Sequence, residues 1–207
     1  MPPSHRLVAF ALLLATLALA ASCGGSKVKI GKLERGATVL AFGDSLTFGT
    51  GAGAGESYPA VLARSTGLNV VNAGVPGETS EQGLARLPEV LEEVQPKLLI
   101  LCHGGNDFLR KMDDAGVASN VRAMIRLAKA KDIPVVLLAT PKPGIPPSVP
   151  ALYGEIATSE GIAFEDGALK QILFKSSLKS DMVHPNGLGY AQVAAALEKL
   201  LRKSGAL

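Results

Sequence analysis

The sequence predicts a single α/β domain built on a five-stranded parallel sheet. Three observations carry that prediction. Short apolar runs of strand length alternate with longer stretches whose apolar residues recur at helical spacing. The runs at Val39–Phe42, Leu98–Cys102 and Val135–Ala139 are continuously apolar, as in strands covered by helices on both faces. The chain beyond residue 22 is long enough for one domain with a sizeable core and needs no second.

The amino terminus comes first. Met1 to Arg6 carries one arginine and a histidine, Leu7 to Ala21 is apolar apart from Thr16, and Ser22-Cys23 follows. This is the pattern of a bacterial secretion signal, and about 15 apolar residues fall short of the ~20 needed for a transmembrane helix. The small residues ahead of Cys23 fit a lipoprotein signal in which the Cys23 thiol carries the lipid, although Ala20 stands where leucine or valine is usual. Ordinary cleavage near Ala21 is the alternative and would leave Cys23 an incidental thiol. The expected organisation is a signal over 1–22, a lipidated cysteine and tether over 23–36 containing the flexible Gly24-Gly25-Ser26, and the folded domain over 37–207.

Within that domain the strands are expected at Val39–Phe42, Leu68–Asn72, Leu98–Cys102, Val135–Ala139 and Ile162–Glu165. Tyr58–Thr66 reads as a helix, with Pro59 in its first turn and Gly67 past its end. Glu81–Glu93 is helical in pattern, with an interruption possible at Pro88. Asn120–Ala130 gathers Val121, Met124, Ile125 and Ala128 on one face. Val149–Ser159 is a weaker helix and Gly189–Leu201 a strong one, entered through His184-Pro185-Asn186-Gly187. Thr140 to Pro150, rich in proline, forms a stiff loop at the sheet's carboxyl end, where α/β sheets bind ligands. It is either a connector or a wall of the cleft.

Charge and cysteine content exclude several classes. A formal net charge of +3, with the basic residues scattered, does not make a nucleic-acid surface. Of the 2 cysteines one is Cys23, and Cys102 sits in an apolar strand as a buried thiol, so neither a disulfide framework nor a zinc site can be built. Gly49 to Gly55 comes too late after the first strand to be a dinucleotide loop, and no Gly-Lys-Ser/Thr follows; a flexible rim loop is the expectation.

The chemistry-bearing residues stand behind the strands. Ser45, in Gly43-Asp44-Ser45-Leu46, follows the first strand; Asp181 and His184, three apart, can share one turn, so that the carboxylate fixes one imidazole nitrogen and leaves the other for a serine hydroxyl. Ala73-Gly74 follows the second strand and Gly104-Gly105-Asn106-Asp107 the third. A glycine N–H and an asparagine amide there, together with the Ser45 N–H, could hold an oxyanion. Each segment has a plainer reading: a strand-to-helix corner capped by Asp44, a surface acid–histidine pair, a glycine turn. Their arrival together and in order favours catalysis. His103 lacks a suitably spaced acid and is expected to make a supporting hydrogen bond, not to act as base.

At these segments the sequence resembles the SGNH hydrolases, the GDSL esterase and lipase family. The resemblance implies Ser45 as nucleophile, Gly74 and Asn106 as oxyanion donors beside the Ser45 N–H, and Asp181 and His184 as acid and base. It also implies a flavodoxin-like three-layer sandwich with strand order 2-1-3-4-5. Thr79 to Pro88 and Gly104 to Arg110 look like the secreted thioesterase, arylesterase and lysophospholipase branch, whereas the proline-rich loop after the fourth strand departs from it. The expected activity is hydrolysis of short to medium acyl esters or thioesters through an acyl-enzyme, with no metal or organic cofactor. A carbohydrate or peptidoglycan O-acetylesterase and a non-catalytic acyl- or glycan-binding lipoprotein are the alternatives. A small acyl substrate is the expected partner, with a membrane reached only through the lipid on Cys23.

Overall fold

The computed structural model describes residues 28–207; the expected signal and Cys23 lie outside the described residues. The strands are β1 (Thr38–Gly43), β2 (Asn69–Gly74), β3 (Leu98–Cys102), β4 (Val135–Leu138) and β5 (Ala163–Glu165). They form one sheet in the order β2-β1-β3-β4-β5, every pairing parallel. The helices are α1 (Ser45–Phe48), α2 (Tyr58–Thr66), α3 (Ser80–Val94), α4 (Gly105–Leu109), α5 (Asp114–Lys129), α6 (Ala151–Glu160), α7 (Ala168–Phe174) and α8 (Gly187–Ser204), with a short 3-10 turn over Ser176–Leu178.

Successive strand residues point to opposite faces, so the sheet divides the core in two. Val39, Ala41, Leu98, Ile100 and Val136 pack against apolar residues of α2, α7 and α8. Leu40, Phe42, Leu99, Leu101 and Leu137 pack against α3, α5 and α6. This is the expected three-layer sandwich. Register brings the carboxyl ends together at one level: Gly43 of β1 lies opposite Gly74 of β2 and Cys102 of β3. The loops that follow these strands therefore open at one edge.

Several boundaries differ from expectation. α3 runs unbroken through Pro88, whose ring sits on the exposed face while Gly83, Leu87 and Leu91 are buried. A reciprocal cap supports its start, where Thr79 Oγ1 accepts from Gln82 N–H and Gln82 Oε1 from Thr79 N–H. α5 begins at Asp114, six residues before the expected Asn120, because the Asp113 carboxylate caps Gly116 N–H. α1, α4 and α7 were not anticipated; α1 and α4 are too short to show a helical period. Cys102 is fully buried, and burial pushes its thiol up, out of reach of thiolate chemistry.

The described chain enters at the far side of the domain from the carboxyl ends of the strands. Ile30 N–H donates to Ser204 O and Leu33 N–H to Ala206 O, both at 2.9 Å, against the last turn of α8. Gly187, at the other end of that helix, adjoins the His184 loop.

Candidate active site

The turn from β1 into α1 places Ser45. A Cβ on Gly43 would lie 2.3 Å from both Cys102 O and Thr47 Oγ1, so only glycine allows the strand to end there. Asp44 caps α1 by accepting Leu46 N–H at 3.0 Å. Its carboxylate is buried, which raises its pKa despite the nearby histidines His103 and His184.

The loop before α8 places the histidine. Asp181 Oδ1 accepts the Val183 and His184 N–H groups at 2.8 Å each, folding the segment into a tight turn, and Ser180 N–H donates to His184 O to close it. Asp181 Oδ2 then lies 2.8 Å from His184 Nδ1, and His184 Nε2 lies 3.0 Å from Ser45 Oγ. With Nδ1 as donor to the carboxylate, Nε2 is the acceptor facing the serine hydroxyl. Slight desolvation would raise the Asp181 pKa, but the hydrogen bonds from the imidazole and the two N–H groups hold it below the usual carboxylate value. The orienting carboxylate is therefore ionised throughout the neutral range.

The glycine run Gly49 to Gly55 supports this loop instead of forming a free rim. A Cβ on Gly51 would meet Ser180 Oγ at 2.0 Å and Pro185 O at 2.7 Å, and Tyr190 Oη donates to Thr50 O at 2.8 Å. Close backbone approach is the reason for glycine here.

The expected oxyanion donors divide. Ser45 N–H has no hydrogen-bond partner among the described residues. Asn106 Nδ2 lies 3.0 Å from Glu78 O and 3.4 Å from Asp44 Oδ2, beside the serine turn. The Gly74 N–H corrects the expectation: it donates at 3.0 Å to Asn72 Oδ1, a local turn in which the asparagine bonds its own backbone two residues on. A Cβ on Gly74 would lie 2.1 Å from Phe48 N, so this glycine serves the packing of β2 against α1. In the same loop the Gly77 N–H is unengaged among the described residues and adjoins Glu78, the residue that meets Asn106.

His103 also departs from expectation. Its ring is fully buried, and its Nε2 lies 3.2 Å from Glu78 Oε2, within ion-pair reach but off the line of a hydrogen bond. Neither ring nitrogen makes the supporting hydrogen bond expected of it. The acid comes from a distant segment, so residue spacing gave no sign of it. Glu78 also takes Arg86 Nε and Nη2 at 2.7 Å each, and Arg86 Nη2 reaches Ala73 O at 3.0 Å. Desolvation would raise the Glu78 pKa, but Arg86 and then His103 bring it down to about 2. Beside this cluster, Ser80 N–H and Oγ bond the buried Asp107 carboxylate at 2.9 and 2.7 Å, fixing the start of α3 to the residue after Asn106.

Above Ser45 opens a cleft of about 160 Å³. Leu46, Leu109, Leu173, Met182 and Val183 line it together with Thr140, Pro141, Pro143, Gly144, Ile145 and Pro147, so the proline-rich loop is a wall of the cleft. Ile145 is 97% exposed at the tip of that loop. The base of the loop is closed by Lys142 N–H donating to Ser148 O at 2.8 Å.

The model of the GDSL-like Lipase/Acylhydrolase family matches residues 41–192. Esterase TesA of Pseudomonas aeruginosa is 33% identical over 159 residues, covering 72% of this chain and 79% of that protein. Thioesterase 1/protease 1/lysophospholipase L1 of Escherichia coli K12 is 30% identical over 157 residues, covering 72% and 76%. Among solved structures, TesA superposes with a TM-score of 0.72 at 28% identity over 80% of this chain and 98% of its own. AlinE4, an SGNH-hydrolase family esterase, gives 0.63 at 28% identity over 84% and 98%.

Proposed function

We propose, from the premise that the chain belongs to the GDSL-like lipase/acylhydrolase family and is a carboxylic ester hydrolase, that Ser45, His184 and Asp181 carry its reaction. The observation that supports this most directly is the unbroken contact from Ser45 Oγ through the His184 ring to Asp181, opening into an apolar cleft.

The Ser45 oxygen attacks the acyl carbonyl while His184 Nε2 takes its proton, and Asp181 stabilises the imidazolium. The Ser45 N–H and the Asn106 amide hold the oxyanion. The Gly77 N–H is the better third donor, since Gly74 would first have to release Asn72. Collapse expels the alcohol or thiol with the proton from His184. Water, activated by the same imidazole, then releases the acid.

The cleft's apolar side chains outnumber its polar ones, Lys142 and Lys179 among them, and favour an acyl chain over a glycan. Short to medium acyl esters and thioesters are the proposed substrates. Export to the outside of the cytoplasmic membrane, with a lipid on Cys23, completes the reading and rests on the sequence pattern of residues 1–23. A panel of p-nitrophenyl esters from acetate to palmitate, run beside a lysophospholipid and acetylated sugars, tests the substrate class. Turnover highest at short to medium chain length is expected; activity confined to acetylated sugars would overturn it.

A further inference from the structure

We propose that Glu78, gripped by Arg86 and flanked by His103, is a positioning residue that aims the Asn106 amide at the reacting oxygen. The inference rests on the reading of Asn106 as an oxyanion donor.

An asparagine amide has two hydrogens, and it is useful to an oxyanion only if one is held and the other is free to be given up. Here Asn106 Nδ2 meets Glu78 O at 3.0 Å, a normal hydrogen bond. The other polar neighbour of that nitrogen, Asp44 Oδ2, is 3.4 Å away, long for an N–H donor. The Glu78 carbonyl thus fixes the amide plane while the second hydrogen stays loosely engaged, to be claimed when charge develops on the substrate.

What fixes the carbonyl is the same residue's side chain. It is 6% exposed and pinned by two Arg86 hydrogen bonds. Arg86 in turn bonds Ala73 O at the end of β2, and its guanidinium lies 4.1 Å from the Phe42 ring centroid at the end of β1. The fully buried His103 closes the remaining side and is itself covered by α3, where a Cβ on Gly83 would lie 2.5 Å from its Nε2. The grip therefore ties the carbonyl to the strand that leads into the nucleophile turn and to its neighbour β2. A buried ion pair is poor evidence for stability in itself, because apolar replacements are often neutral. Its connection to a donor whose aim matters argues for positioning.

The test is a double-mutant cycle on ester hydrolysis with Glu78→Gln, Arg86→Lys and Asn106→Ala. Each of the first two should lower kcat about tenfold with KM within about twofold, since misaiming a catalytic group costs rate rather than binding. In the Asn106→Ala background the same changes should cost less than about twofold. Arg86→Lys keeps the charge but not the paired hydrogen bonds, so it carries the cycle if Glu78→Gln fails to fold. Full additivity with a damaging Asn106→Ala overturns the positioning role alone. An Asn106→Ala enzyme with undiminished kcat overturns the oxyanion reading and the inference with it.

Discussion

Ser45 contributes its hydroxyl to one hydrogen bond at the cleft floor and little to the core, so chemistry and folding separate at this residue. Ser45→Ala should lose ester turnover by about 10⁴ or more and fluorophosphonate labelling with it, while melting as the parent does. Labelling at another serine would remove Ser45 from the mechanism. His184→Ala should be nearly as damaging and His103→Ala milder, because His103 faces Glu78 and not the serine. A reversed order in kcat/KM would show the base to be misassigned. Asn106→Ala should lower kcat by about 10² to 10³ with KM nearly unchanged. Acid titration reads the Glu78 grip separately. Its folded pKa of about 2 lies below the ordinary 4.5, so its stabilisation is fully present above 4.5 and is lost as pH falls toward 2. The gap in denaturation midpoint between the parent and Glu78→Gln should narrow across that interval. That Ser45, His184 and Asp181 would meet was legible because hydrogen-bonding chemistry of this kind constrains residue type at short spacing. Gly74 was misread because a motif gives the neighbourhood of an N–H but not its direction, which Asn72 sets. Glu78 and Arg86 were invisible because nothing local marks a charge as buried.

Among the elements, α3 holds the loop that meets Asn106, and its Pro88 removes a backbone donor from the helix interior. Pro88→Ala should raise stability by about 2 to 3 kcal/mol. A proline costs about 3 kcal/mol against alanine inside a helix, and its restriction of the unfolded chain returns up to about 1 kcal/mol of that. Urea denaturation checks it, and a lower midpoint would mean that the helix is shaped around the proline. Strands were read to within two residues because runs such as Leu98–Cys102 are buried on both faces. Helix α2 was read to its ends because Pro59 and Gly67 mark them. The start of α5 was lost to Gly116 and Ser119, weak helix formers whose cost the Asp113 cap offsets. α7 was lost because its seven residues are too few to show a period, although Leu169, Ile172 and Leu173 are buried.

At the scale of the molecule, the sheet gathers the carboxyl ends of β1, β2 and β3 at one level, and a serine, an amide donor and a histidine from segments remote in sequence meet there. The chain's entry against the last turn of α8 has the opposite placement. Helix α8, with 18 residues, spans about 27 Å from the histidine loop to that entry. Residues 23–28 reach at most about 18 Å even fully extended. A lipid on Cys23 would therefore act as a mooring line shorter than the hull: the cleft could not turn over to face the bilayer that holds it, and its cargo would have to arrive through water. Biotin placed at Cys23 on streptavidin beads should leave kcat/KM for a soluble p-nitrophenyl ester at the free enzyme's value. Vesicles carrying the same group should lose to free enzyme in hydrolysing an ester dissolved in their own membrane. Faster cleavage by the moored enzyme would mean that the cleft faces its own shore.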